Sequence, residues 1–188
     1  CGAAARVVLL AFVRNECPTW AEWLGHHRAQ GVAHFYAIDH NSTDACDLAS
    51  FGVGGDLTVW PWSRPLSGNY STQEEAYRYY MPRLRAAENR NDTWLAILDV
   101  DEFVFGMRNL TFAQHLNRLP GSLLQLCMNW LTFGSSGHFK QPRCITQSNL
   151  YRKPLPFGLI GKCVQRLNFV SRPTIHRAFL VGEQPSMR

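Results

Sequence analysis

Several things are scarce or missing in this sequence, and each absence excludes something. No apolar run approaches the ~20 residues needed to cross a bilayer as a helix. There is no internal repeat, no low-complexity tract and no Pro/Gly-rich linker, so solenoids and disordered arrays are excluded. The six cysteines (1, 17, 46, 127, 144 and 163) show no metal-finger spacing, which argues against structural zinc while permitting disulfides. The only Gly-Lys pair, Gly161-Lys162, is followed by Cys163 and lacks the second glycine of a phosphate-binding loop. Carboxylates are absent from residues 103–182.

That last absence makes the charge asymmetric. Residues 1–102 carry 8 Arg and 13 Asp/Glu, a balance of −5; residues 103–188 carry 11 Lys/Arg and only Glu183, a balance of +10. Sixteen of the nineteen bases are Arg, the residue suited to bidentate phosphate contacts. A basic half facing solvent or nucleic acid is the plain alternative, but no RNA-binding motif accompanies it and the acidic half opposes it. With 188 residues, 46% hydrophobic and 18% charged, the chain is expected to be one globular domain with a sizeable core. It opens at Cys1 rather than Met and is expected to be part of a longer protein, with any membrane anchor outside it.

The most informative stretch is 94–105. Five apolar residues, Trp94 to Leu98, read as a strand buried on both faces. They run into Asp99, Asp101 and Glu102. Charges at the end of a buried strand need partners, because desolvating them costs several kcal/mol each. Asp99 and Asp101 lie two apart and would share a face in extended geometry. Hard oxygen donors of this kind suit Mg²⁺ or Mn²⁺ shared with substrate phosphates. Capping by Arg or by backbone amides remains the alternative.

Before this stretch, strand and helix signals alternate. Arg6–Val13 reads as a buried strand ending at Arg14-Asn15-Glu16. A helix opens at Pro18 and stops at Gly31. Strands follow at 34–39 and 56–62, with a helix start near Ser42, Thr43 or Asp44 between them. Ser71 or Thr72 caps a helix running to about Arg90. This alternation predicts an α/β protein with a mostly parallel, doubly wound sheet. Beyond it, a short helix (111–119), a strand-like run (123–133), a polar Gly/Ser loop (134–138) and strands at 163–169 and 174–180, separated by Arg172-Pro173, are expected. Asn41, Asn69, Asn91 and Asn109 stand in glycosylation sequons, compatible with a secretory compartment.

Taken in order, Asn15-Glu16, Glu22-Trp23-Leu24, His27, Gly31-Val32, His34-Phe35-Tyr36, Asn41-Ser42-Thr43-Asp44, Gln73, Leu98-Asp99-Val100-Asp101-Glu102-Phe103, Trp130, Phe133-Gly134-Ser135-Ser136-Gly137-His138, Lys162 and His176 resemble glycosyltransferase family 92 and the related family 2-like enzymes. The resemblance implies a GT-A fold, a divalent metal, a UDP-sugar donor and transfer, with inversion, of galactose or a similar hexose to a glycan acceptor. It also implies a lumenal Golgi location behind a membrane anchor. Residue by residue, it makes Asp99 and Asp101 the DxD motif and His176 a third metal ligand. It places Arg14, Asn15, Glu16 and Asp39 at the nucleoside, with Asp44 either a ligand or a helix cap. Lys162 and Arg166 become candidates for the diphosphate, and Trp130 for a sugar platform. The general base is the open position. Glu102, His138, Glu183 or an acid beyond Arg188 are its candidates, and a catalytically inactive sugar-nucleotide or glycan-binding module is the alternative function.

Overall fold

A computed structural model describes residues 5–64, 71–154, 157–176 and 178–182, with the side chains of 157–160 excepted. Four strands, β1 (Arg6–Val13), β2 (His34–Asp39), β3 (Leu57–Pro61) and β4 (Thr93–Ile97), pair in parallel. Two strands from the second half, β5 (Gln125–Trp130) and β6 (Phe157–Arg166), complete a six-stranded sheet of order β3-β2-β1-β4-β6-β5. β6 runs antiparallel to both β4 and β5. The architecture is therefore the mixed α/β, mostly parallel sheet flanked by helices that a GT-A fold requires. The acidic and basic halves share one sheet.

β1, β2 and β4 are buried on both faces, as their unbroken apolar runs demand. Alternate residues of each strand point to opposite faces. Val7, Leu9, Ala11, Phe35, Ala37, Trp94, Ala96 and Val164 pack on one side. There they meet Trp20, Trp23 and Leu24 of α1 (Cys17–Ala29), and Phe112 and Leu116 of α3 (Phe112–Asn117). On the other side Val8, Leu10, Tyr36, Ile38, Leu95 and Ile97 meet Tyr77, Tyr80, Met81 and Leu84 of α2 (Thr72–Ala87). The hairpin of β7 (Val170–Pro173) and β8 (Ala178–Leu180) closes that face through Val170 and Ala178.

Local signals explain the helix ends. Ser71 caps α2 by accepting from the Glu74 N–H at 3.2 Å. Thr111 and Gln114 form a reciprocal capping box on α3. Gly31 follows α1 at φ +84°, and a Cβ there would lie 2.7 Å from that of Ala113, so the α1 exit needs glycine.

Two expectations change, and a third reading, that Gly161-Lys162 is not a phosphate-binding loop, holds. No helix starts at 42–44; the short 3₁₀ turn Leu48–Phe51 follows instead, capped by Asp47, whose carboxylate accepts from the Ala49 N–H. Arg172-Pro173 does not separate two strands but lies within β7, a two-stranded ribbon where proline's missing donor is tolerated. Gly161-Lys162 lies inside β6, where a Cβ on Gly161 would strike the Met128 carbonyl, so this pair is part of a sheet and no phosphate loop. Disulfides join Cys17 to Cys46 and Cys127 to Cys163, while Cys144 is a free, exposed thiol. Asn69, Glu183 and the 185–188 tail lie outside the described residues.

Candidate functional site

The C-terminal ends of β1, β2 and β4 form one edge of the sheet, the place where open α/β folds bind ligands. A cleft of about 470 Å³ opens there, lined by Phe12, Glu16, Thr19, Gln73, Asp99, Val100, Asp101 and Gln141. The two motif aspartates are thus brought into a cavity together with Glu16 from the end of β1.

The two aspartates have different environments. Asp99 is held in place. Its Oδ1 accepts from Gln73 Nε2 at 3.1 Å, and Gln73 also donates to the buried Tyr77 hydroxyl at 2.7 Å. Its Oδ2 accepts from Lys162 Nζ at 3.0 Å. Lys162, only 3% exposed, also contacts Glu102 Oε2 at 3.0 Å. Glu102 in turn accepts the Asp99 N–H at 2.9 Å, and the Glu102 N–H donates back to the Asp99 carbonyl at 3.0 Å, closing the turn after β4. Burial pushes the Glu102 carboxyl above its usual range, although Lys162 and the Asp99 amide oppose the rise. Asp101, by contrast, is exposed, and among the described residues its side chain takes part in no hydrogen bond.

Glu16 completes the acidic wall. Its carboxyl is raised first by burial; the Thr19 hydroxyl, 3.3 Å away, lowers it, and the charges of Asp101, Asp44 and Asp99 raise it further. Carboxylates that repel one another across a cleft form a site for positive charge. At the opposite end of β1, Glu88 shows how this chain treats a purely structural acid. It is buried, paired with Arg6 and hydrogen-bonded by the Tyr36 hydroxyl at 2.8 Å.

The donor set at the cleft is all oxygen, which fits a hard divalent cation that completes its shell with substrate phosphates and water. Among the described residues, no three of His, Cys, Asp and Glu converge closely enough to enclose an ion. His176 is therefore not brought into a three-ligand group with Asp99 and Asp101. Its carbonyl accepts from the Cys163 N–H at 2.9 Å, one residue from Lys162, and its exposed ring leans edge-on against Trp130 of β5.

The remaining predicted residues separate into those near the cleft and those away from it. Asn15 (φ +58°) and Asp39 knit the loops after β1 and β2 together. The Asn15 N–H donates to Ser42 Oγ at 3.0 Å, Asn15 Oδ1 accepts from the Thr43 N–H at 2.6 Å, and Asp39 Oδ1 accepts from the Ser42 N–H at 3.1 Å. Asp44 accepts the first amide of α1, from Cys17, at 3.3 Å, and so serves as a cap supplied from another loop. Arg14 is exposed beside them. Arg166 stands apart. It pairs with Trp94 at the start of β4, 4.2 Å over that indole, so the whole strand separates it from Asp99. Lys162 faces the acids rather than open solvent, Glu102's carboxylate is consumed by the turn and the lysine, and His138 lies in an exposed turn and does not line the cleft.

Sequence reasoning gave no role to Thr19, Tyr77, Gln141 or Phe12. Gln141 in particular comes from a polar segment with no local pattern to mark it.

The model of glycosyltransferase family 92 matches residues 9–176, nearly the whole chain. The chain belongs to glycosyltransferase family 92. A family 92 protein of Arabidopsis thaliana is 28% identical over 109 residues, covering 55% of this chain and 17% of the relative. One from Oryza sativa subsp. japonica is 26% identical over 150 residues, covering 74% and 23%. A third, from Ricinus communis, is 24% identical over 139 residues, covering 69% and 23%. The chain thus spans about a fifth of the length of these curated relatives. This family 92 domain carries its acidic motif at a sheet edge that is also the mouth of a cleft.

Proposed function

We propose that this chain is the catalytic domain, or a large part of it, of a glycosyltransferase that moves a hexose, galactose or a similar sugar, from a UDP-sugar to a glycan hydroxyl with inversion. The observation that carries the reading is the meeting of Asp99, Asp101 and Glu16 in one cleft at the C-terminal sheet edge. Asp99 and Asp101 would hold Mn²⁺ or Mg²⁺, which when bound neutralises charge on the departing diphosphate. Lys162 and Gln73 fix Asp99 so that its carboxylate cannot swing away. Asp101, exposed, is available to the donor. Arg14, Asn15 and Asp39, in the loops after β1 and β2, would hold the nucleoside. A lumenal Golgi setting behind an anchor outside this chain agrees with two disulfides, which persist in oxidising compartments.

The acceptor hydroxyl must lose a proton to a base within hydrogen-bond reach. Among the described residues, the carboxylate that lines the cleft outside the Asp-x-Asp motif is Glu16. The tying-up of Glu102 and the position of His138 favour a second reading, a sugar-nucleotide-binding module without transfer. Donor turnover measured with Mn²⁺, with EDTA, and in Glu16→Gln separates the two. Mn²⁺-dependent turnover that Glu16→Gln abolishes supports transfer; UDP binding without turnover supports the module; no UDP binding with Mn²⁺ present removes both.

A further inference from the structure

Between Trp130 and Phe157, residues 131–154 form an excursion beside the cleft. Its base is pinned to itself. Phe133 bridges to Arg152, the Gly134 N–H donates to the Tyr151 carbonyl at 2.9 Å, and Ser136 Oγ accepts from the Leu150 and Tyr151 amides at 2.8 and 3.1 Å. The tip, 137–148, is mostly exposed. Among the described residues, one side chain supplies the hydrogen bonds that join this tip to the body of the domain. Glu22 of α1 accepts from the Ile145 N–H at 2.7 Å through Oε2, and from the Thr146 N–H at 2.9 Å and the Thr146 hydroxyl at 2.5 Å through Oε1. Both carboxylate oxygens are therefore used on a segment 123 residues away in sequence. Burial would raise this carboxyl, but the Thr146 hydroxyl, the two amides and nearby His26 outweigh it and hold it below its usual range.

The consequence reaches the cleft. Gln141, four residues before Ile145, lines it, and so does Thr19, one turn before Glu22 on the same helix. α1 thus lines the cleft directly through Thr19 and, through Glu22, fastens the segment that carries Gln141. We propose that Glu22 is a positioning residue for donor binding, acting by holding the 137–148 tip so that Gln141 closes the cleft. This inference rests on the UDP-sugar reading given above. Glu22 itself does not line the cleft, so its influence on a ligand there passes through the tip.

The test is calorimetric titration of UDP with Mn²⁺ present into the wild type, Glu22→Ala, Gln141→Ala and the double variant, with melting temperatures alongside. Misplacing a binding wall is expected to weaken UDP by about tenfold in Glu22→Ala. Gln141→Ala should lose about as much, and the double variant should be no weaker than either single variant, because the two residues act in series. Thr146→Val and Glu22→Gln keep part of the clamp and should fall in between; they carry the test if Glu22→Ala does not fold. Hydrogen exchange at the Ile145 and Thr146 amides should be slow in the wild type and fast in Glu22→Ala. UDP affinity within twofold of wild type in Glu22→Ala, or additive losses in the double variant, overturns the proposal while leaving the donor reading intact. A wild type that binds no UDP overturns the donor reading and this inference with it.

Discussion

Replacing Lys162 by Met tests the site's electrostatics most directly. Met keeps most of the buried aliphatic stem and removes the ammonium that lies 3.0 Å from both Asp99 and Glu102. Breaking a fully buried ion pair by deleting one partner costs about 3–5 kcal/mol. The Lys162 side chain is 4% exposed and that of Glu102 18%, but Asp99 is 40% exposed, so solvent recovers part of the loss. The expected cost is about 2–4 kcal/mol. For a domain of this size that lowers Tm by roughly 5–12 °C. The cost should depend on pH in a defined direction. Glu102 already sits above its usual range, chiefly through burial, and Lys162 is the largest influence pulling it down. A carboxyl raised in the folded state binds extra protons there, so the stability it contributes at low pH is lost as pH rises through its folded value. Removing Lys162 raises Glu102 further, so the variant's deficit should be greatest near pH 7–8 and shrink toward pH 5. Thermal melts of wild type and variant across that range make the comparison. An unchanged Tm, or a deficit constant with pH, would refute the assignment of Lys162 as the buried counter-charge and return it to direct contact with the diphosphate.

Asp101→Asn should abolish Mn²⁺-dependent donor turnover with little change in Tm, because its exposed carboxylate holds nothing in the fold; full activity in this variant or in EDTA would sink the metal site. His27 is buried between the Trp23 carbonyl (2.8 Å) and the Val104 amide (3.3 Å), and burial pushes it down to about 3. The unfolded chain therefore binds the extra proton below about pH 6.5, and acidification to pH 4.5 should remove on the order of 2–3 kcal/mol, a slope that is flatter in a folded His27→Asn. Cys17→Ser with Cys46→Ser opens a loop of 29-residue separation, and chain entropy puts the cost at about 3–4 kcal/mol; an unchanged urea midpoint would show that this link is not formed.

The parallel half of the fold was legible because local pattern and burial agree there. Continuous apolar runs such as Val7–Ala11 and Trp94–Leu98 are what two-sided burial requires, and Pro18, Gly31, Ser71 and Thr111 mark helix ends by their own chemistry. β5–β8 were less legible. A strand that pairs only across a long connection, as β6 does with β4, leaves no local signature of its direction, and Pro173 reads as a breaker until it is seen in a two-stranded ribbon. The aspartate motif was found because acids after a buried strand violate the ordinary pattern.

Partners across the fold were what the sequence could not supply, and Lys162 shows why. A lysine beside a cysteine in a basic half reads as a phosphate contact, since charge counting gives a residue's sign and not its neighbour. Its neighbour is set by the antiparallel register of β6 on β4, Ala96 opposite Val164, which carries Lys162 past the end of β4 to the level of Asp99. The same register carries Arg166 to the other end of the strand, against Trp94. Two bases four residues apart therefore separate into different roles. One neutralises the acid nearest the sheet, while Asp101, two residues on, is left to face the cleft. That division is physically reasonable for a cation site. If both acids were compensated internally, little negative potential would remain to draw a metal. If neither were, two carboxylates and Glu16 would repel one another with nothing to hold the first in place. A single buried lysine, set on Asp99 and Glu102 and not on Asp101, leaves the cleft negative and its inner wall rigid.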